Sequence, residues 1–183
     1  MGIVLAFAPF IVFAVVDRMF GATSGLVAGA AVSIAFLIRD WLTPDRMLKV
    51  LEIGTGLLFG GLALYAVVGG PTWSIIGVRL CVDGGLLLIV LVSIAIRRPF
   101  TVQYARERVA PEFWDSAEFL RVNYVITFVW AAAFVVLVIA DVVMLFMPAL
   151  PTRIAVIVTI LALVAAVMFT TWYPRRTRPQ VVQ

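Results

Sequence analysis

The sequence contains no histidine, a single cysteine (Cys81) and a single lysine (Lys49) among its 183 residues. Without histidine, the chain lacks the commonest protein ligand of haem and zinc, and the most frequent general base. One cysteine excludes an internal disulfide and a cysteine cluster. Lys49 lies at the end of an apolar segment, which argues against a Schiff base within a helix bundle. We therefore expect no cofactor, no metal site and no enzymatic activity.

Charge is also scarce, because 13% of the residues are charged and 64% are hydrophobic. A soluble domain of this length could not hide so much apolar surface from water, so the lipid bilayer is the expected solvent. The composition predicts an all-α, polytopic transmembrane helix bundle forming a single domain over residues 1–183. The basic residues behind the net charge of +4 flank apolar segments, which is typical of topology signals and lipid contact. No nucleic-acid partner is expected.

About six hydrophobic helices are predicted, over residues 2–16, 20–38, 50–68, 74–96, 122–147 and 154–173. Most reach the length of roughly 17–25 residues that a spanning helix needs. The first gives only about 22 Å of helix at 1.5 Å per residue, and Pro9 interrupts it. It is either a thin span whose Asp17 and Arg18 extend to the interface, or a re-entrant helix.

The distribution of basic residues predicts the orientation. If all six segments cross, three basic residues lie on one side of the membrane: Arg18, Arg79 and Arg153. The other side holds Arg39, Arg46, Lys49, Arg97, Arg98, Arg106, Arg108, Arg121, Arg175, Arg176 and Arg178. The positive-inside rule then places both termini in the cytoplasm, and a re-entrant first segment would move only the N-terminus.

The longest connection, residues 97–121, is predicted to be a cytoplasmic linker at the membrane surface. Phe113, Trp114 and Leu120 follow Pro111 at helical spacing, which predicts a short interfacial helix anchored by these three side chains. The alternatives are a linker that Trp114 simply anchors, and a surface on which a partner docks.

Two groups of glycines spaced four apart could bring helices close together. Gly21, Gly25 and Gly29 lie on the second segment, and Gly56 and Gly60 lie on the third. Glycines at this spacing share one helix face and admit a second backbone. They indicate tight packing within the bundle or, alternatively, homodimerisation.

Charges within apolar segments are the candidate ligand-binding residues, because ionised groups in lipid are costly and usually face protein or water. Arg79 and Asp83 are four apart on the fourth segment and can share one helix face. Asp141 lies on the fifth segment and Arg153 opens the sixth. All four fall towards the outer side together with Asp17 and Arg18, and the six charges form either a paired structural cluster or a polar cavity that binds a ligand or ion.

Several short motifs resemble the bacterial inner-membrane family called intracellular septation protein A. They are Phe7-Ala8-Pro9 running on to Phe13, Phe59-Gly60-Gly61-Leu62, Trp73, Arg97-Arg98-Pro99, and Trp130 with Phe134. The likeness extends over nearly the whole chain. It implies a non-enzymatic protein of the cytoplasmic membrane that supports the cell envelope and septation through other membrane proteins, and it supplies no catalytic residues.

The chain departs from that family at two candidate positions. Asp83 falls where the family usually has an apolar residue, and Asp141 falls near a position that often holds asparagine. The linker is also richer in charge. Two other hypotheses are therefore alternatives to a role in septation: a small transporter or channel using the outer-side charges, and an accessory subunit of a larger membrane complex.

Overall fold

The structure is a computed structural model that describes residues 3–43, 48–70, 74–147 and 149–177. The described residues form helices and no strand, which confirms the all-α prediction. A 3-10 segment, Ile3–Phe7, precedes the first helix, and a second one, Pro111–Phe113, lies in the linker. The α-helices are α1 (Ala8–Phe20), α2 (Ala22–Leu42), α3 (Val50–Gly69), α4 (Ile75–Ala95), α5 (Phe100–Arg106), α6 (Ala117–Phe146) and α7 (Thr152–Thr177).

Five of these helices, α2, α3, α4, α6 and α7, are long and apolar enough to cross a membrane. Large apolar side chains remain exposed along them, which is the arrangement that lipid requires. The chain is therefore a multi-pass helical membrane protein. The first predicted segment corresponds to the 3-10 segment followed by α1, a helix of 13 residues that continues past Val16 to Phe20.

The chain divides into two compact units, Met1–Ile89 and Val90–Gln183, and the boundary falls inside the continuous helix α4. The prediction of one domain over residues 1–183 stays a prediction.

In the first unit, the side chain of Phe59 is fully buried where α1, α2 and α3 meet. Its ring centroid lies 5.0 Å from that of Phe10 and 5.7 Å from that of Phe13. A Cβ added to Gly29 would lie 2.7 Å from Cδ1 of Phe59, so only glycine leaves room for this ring on α2. Because lipid supplies no hydrophobic drive between helices, such close packing is what holds them together.

A single residue, Gly21, separates α1 from α2. Its φ of +88° lies in the region that favours glycine, and its N–H donates to the carbonyl of Asp17 at 2.9 Å. At this junction a Cβ on Gly25 would stand 2.9 Å from the backbone nitrogen of Asp17. The chain therefore reverses with the two backbones in direct contact.

In the second unit, neutral hydroxyl, indole and backbone carbonyl groups join the helices. Thr101 Oγ1 of α5 donates to the carbonyl of Asn123 at 2.8 Å and lies 2.7 Å from Thr127 Oγ1 on α6. Trp130 Nε1 of α6 donates to Thr170 Oγ1 of α7 at 2.9 Å. These bonds connect α6 to a neighbour on each side.

The end of α4 has a hydrogen-bond pattern that usually requires glycine. The N–H of Arg98 donates to the carbonyl of Ser93 and the N–H of Arg97 donates to the carbonyl of Ile94, both at 2.9 Å, which is a Schellman arrangement. Arg97 takes the left-handed position with a φ of +57°. Arg97-Arg98-Pro99 therefore ends the helix at the cost of placing arginine where glycine is favoured.

The predicted short helix starting at Pro111 is wrong. The 3-10 segment Pro111–Phe113 ends at Trp114, and Leu120 belongs to α6, whose N-terminus is capped by Ser116. Ser116 Oγ accepts the N–H of Phe119 at 3.2 Å, which starts a new helix instead of extending the first turn. The apolar spacing across residues 113–120 therefore spans two elements.

Candidate functional site: a buried ion network where α2 and α3 meet

Four charged side chains form a network at adjoining ends of two helices in the first unit. Arg39 and Asp40 stand in the last turn of α2, Lys49 is the residue preceding α3, and Glu52 lies in the first turn of α3. The side chain of Asp40 is 0% exposed, while those of Lys49 and Glu52 are 4% and 5% exposed. These values place three ionisable side chains inside protein.

The distances define a chain of ion pairs. Arg39 Nη2 lies 2.6 Å and Arg39 Nε 2.7 Å from Oδ1 of Asp40, while Lys49 Nζ lies 3.0 Å from Oδ2 of the same carboxylate. Lys49 Nζ also lies 3.4 Å from Oε1 of Glu52. Two cations and two anions are thus interleaved, and their formal charges cancel when all four are ionised.

The position of each charged residue at a helix end determines whether the helix dipole favours or opposes its charge. Glu52 lies at the N-terminal end of α3, where the helix dipole favours an acid, whereas Asp40 lies at the C-terminal end of α2, where the dipole opposes it. Arg39 and Lys49 offset that cost directly. The guanidinium of Arg39 also stacks 4.8 Å above the Phe36 ring, which holds it in place.

Chemically, this arrangement links two helices and does not resemble a metal centre. Among the described residues, no group of three or more acidic, cysteine or histidine side chains could hold a metal ion. A buried ion pair is costly to break, since removal of one partner leaves the other charged inside protein. Asp45 and Arg46, the latter counted in the orientation prediction, lie outside the described residues.

Sequence reasoning did not single out Asp40 and Glu52. Lys49 and Glu52 have the i, i+3 spacing of a helical ion pair, and Asp40 and Glu52 both stand at the edges of apolar segments. Those two signals could have suggested a pair. The contact between Asp40 and Lys49 depends on how the chain turns between α2 and α3, which no local pattern encodes.

The predicted outer-side residues are divided between the two units. Arg79 and Asp83 are half-buried on α4 in the first unit. In the second unit, Asp141 is buried on α6 and Arg153 is exposed in the first turn of α7. A site shared by all four stays a prediction.

Asp17 joins the first pair of outer-side charges. It lies within electrostatic range of Arg79 and Arg18. Its Oδ1 is buried, and no described residue donates a hydrogen bond to that atom. Asp17 belongs to the predicted outer-side set, but the fold-back at Gly21 that brings it close to Arg79 has no hydropathy signal.

The five candidate packing glycines behave differently from one another. Gly25 and Gly29 admit Asp17 and Phe59 as described above, and a Cβ on Gly56 would lie 2.7 Å from Cδ1 of Leu37 on α2. These three therefore pack within the chain. Gly21 serves as the junction between α1 and α2. For Gly60, no atom of another helix among the described residues lies within 4 Å of the position its Cβ would take.

The predicted interfacial anchors have distinct surroundings. Phe113 is 54% exposed, and Leu120 is half-buried in the first turn of α6. Trp114 Nε1 donates to the carbonyl of Val109 at 2.8 Å, and the Arg106 guanidinium lies 5.1 Å from the centre of its ring. Trp114 therefore holds the linker in shape, and its contact with a membrane surface stays a prediction.

Comparison with known proteins gives no match: no family model, no curated protein and no solved structure is similar to this chain.

Proposed function

We propose that this chain is a non-catalytic protein of the bacterial inner membrane that supports cell-envelope or septation complexes through helix–helix contacts with other membrane proteins. The sequence motifs that resemble the intracellular septation protein A family support the biological setting. The buried ion network and the hydroxyl contacts support a structural rather than a chemical role, because they join helices of the same chain.

The observation that carries the proposal is the open face of α3 around Gly60. In the part of the chain that the structure describes, no other helix has an atom within 4 Å of the Cβ position of Gly60, and Leu57 and Leu64 beside it are 74% and 66% exposed. In lipid, a small residue between large apolar ones lets a second helix approach closely, so that van der Waals packing can form. Gly56, one turn earlier, already packs against Leu37 of the same chain.

This difference supplies a matched pair of variants. Gly60→Ile adds bulk where the chain itself has space, so we expect unchanged thermal stability in mild detergent and loss of co-purifying partners. Gly56→Ile collides with Leu37, so it should lower stability directly. Cross-linking in intact membranes followed by co-purification measures the partners, and differently tagged copies of the chain distinguish self-association from association with another protein.

The proposal fails if Gly60→Ile retains every specific association of the wild-type protein, or if the wild type has none. Recovery of one large, stoichiometric complex would favour an accessory subunit of that complex over a more general supporting role.

Asp17 favours a second candidate function, a small transporter or channel. A buried carboxylate oxygen beside Arg79 is the kind of polar group that lines an ion or substrate path in a membrane protein. Flux into liposomes containing the purified chain tests this candidate. Flux that Asp17→Asn, Asp83→Asn and Asp141→Asn all leave unchanged, or the absence of any flux, would remove it.

A further inference from the structure

A groove in the second unit lies between the start of α6 and the end of α7. It is lined by Glu118, Arg121, Val122 and Tyr173 and has a volume of about 330 Å³. That volume is at the lower end of the range found for small-ligand sites, roughly 300–1,000 Å³. The hydrogen bond from Trp130 on α6 to Thr170 on α7 joins the two helices beside the groove, and within α7 the Phe169 ring stacks on Tyr173 with centroids 4.9 Å apart.

The two charges of this groove are opposite and do not neutralise each other. Glu118 and Arg121 are three residues apart on α6, yet no ion pair or hydrogen bond of either side chain occurs among residues 3–43, 48–70, 74–147 and 149–177. Three residues along a helix is a spacing at which such side chains can pair. Here each instead borders the groove, so a carboxylate and a guanidinium are available to one ligand.

The groove lies at the ends of two candidate membrane spans. α6 begins at Ala117, and the apolar part of α7 ends near Arg176, three residues after Tyr173. Tyrosine, tryptophan and arginine concentrate where membrane helices meet lipid headgroups, and the Arg176 guanidinium lies 4.7 Å from the Trp172 ring centre. A ligand at this depth can therefore be a membrane lipid.

From these observations we propose that the groove binds the headgroup of a phospholipid that carries a phosphate and a primary ammonium, as in phosphatidylethanolamine. Arg121 donates to the phosphate oxygens, and Glu118 accepts from the ammonium. The lining charges sum to zero, which matches a zwitterion better than an anion. A carboxylate also prefers an ammonium with N–H donors to a choline, which has none.

Native mass spectrometry of the full chain in mild detergent tests this assignment. The protein is offered phosphatidylethanolamine, phosphatidylcholine and phosphatidylglycerol with identical acyl chains. The wild type should retain the ethanolamine lipid best, by about two- to fivefold, the range of an exposed charge pair. Glu118→Gln should abolish the preference over choline, and Arg121→Gln should weaken retention of all three lipids.

Two matched controls separate a site from general surface charge. Glu112→Gln and Arg108→Gln alter exposed residues of the linker that do not line the groove, and they should leave retention unchanged. Melting temperatures equal to wild type will show that all four variants are folded.

Equal retention of the three lipids by the wild type overturns the proposal, as does an equal effect of the control variants. Preference for the glycerol lipid that Arg121→Gln removes and Glu118→Gln does not would assign an anionic lipid instead. Displacement of bound lipid by equimolar glycerophosphoethanolamine would show that the ligand is a soluble phosphate ester and would overturn the lipid assignment. None of these outcomes depends on the partner contacts proposed for Gly60.

Discussion

In the first unit, ion pairs join the ends of α2 and α3. In the second unit, neutral hydroxyl groups and a backbone carbonyl join α5 and α6. Asp40, Lys49 and Glu52 are almost completely buried, and so are Thr101 and Thr127. The two contacts are therefore similarly buried, but they differ in the charge of the group that remains when one partner is removed. A missing hydroxyl leaves a neutral group, while a missing carboxylate leaves a buried cation, so the two units should respond very differently to single substitutions.

The largest effect is expected for Asp40→Ala. Lys49 and Arg39 would lose the carboxylate that they share, and breaking a buried ion pair costs about 3–5 kcal/mol. The free energy of unfolding, measured by titration with a denaturing detergent, should fall by an amount in that range. Asp115→Ala is the control, since the Asp115 side chain is 96% exposed and lies 3.7 Å from Arg106. It should have no measurable effect.

Lys49→Met completes a double-mutant cycle with Asp40→Ala. If the two charges depend on each other, the double variant should lose less stability than the sum of the two single variants. Strict additivity would mean that the network does not act as a unit.

A smaller effect is expected for Thr101→Val in the second unit. This change keeps the shape of the side chain and removes the hydrogen bonds to Asn123 and Thr127, which are worth about 1 kcal/mol each. A loss of about 1–2 kcal/mol, measured by the same titration, would place the neutral contact below the charged one. Thr171→Val is the control, because the exposed Thr171 hydroxyl donates to the carbonyl of Met168 within α7 itself. A loss as large as that of Asp40→Ala would remove the distinction between the units.

The smallest effect, and the only gain, is expected for Arg97→Gly. Glycine takes a left-handed conformation without the penalty of about 1–2 kcal/mol that other residues bear. Part of this gain is lost because glycine is more flexible in the unfolded chain, so a net increase of about 0.5–1 kcal/mol in stability is expected. Arg98→Gly lacks the positive φ and should not stabilise. A decrease with Arg97→Gly would show that the Arg97 side chain contributes more than its strain costs.

Hydropathy predicted the membrane helices well because a helix in lipid must be both long and apolar. The predicted segment 50–68 agrees with Val50–Gly69 to one residue, and 74–96 agrees closely with Ile75–Ala95. The second segment was placed too early, since α2 continues to Leu42 through Arg39 and Asp40. A hydropathy boundary stops at the first charge, but Asp40 is buried between Arg39 and Lys49, so the helix continues through both charged residues.

The candidate site was harder to predict. The glycine spacing predicted tight packing or homodimerisation for all five glycines alike, and it did not distinguish Gly25, Gly29 and Gly56 from Gly60, which meets no other helix among the described residues. Similarly, the spacing of Phe113, Trp114 and Leu120 suggested one helix because periodicity alone does not detect the Ser116 cap. Spacing within one segment does not indicate where a helix ends, and it does not indicate which other helix lies beside it.

Because Lys49 is buried, its exposure to a protease would report local opening of the α2–α3 junction. Because the chain has no other lysine, a lysine-directed protease can cut it at one peptide bond, which joins Lys49 to Val50 at the start of α3. The closed ion network shields that bond's recognition side chain, so cleavage needs a fluctuation that exposes it. The rate at which the intact protein is cleaved into two fragments would thus measure how often the α2–α3 junction opens locally, without any label or engineered residue.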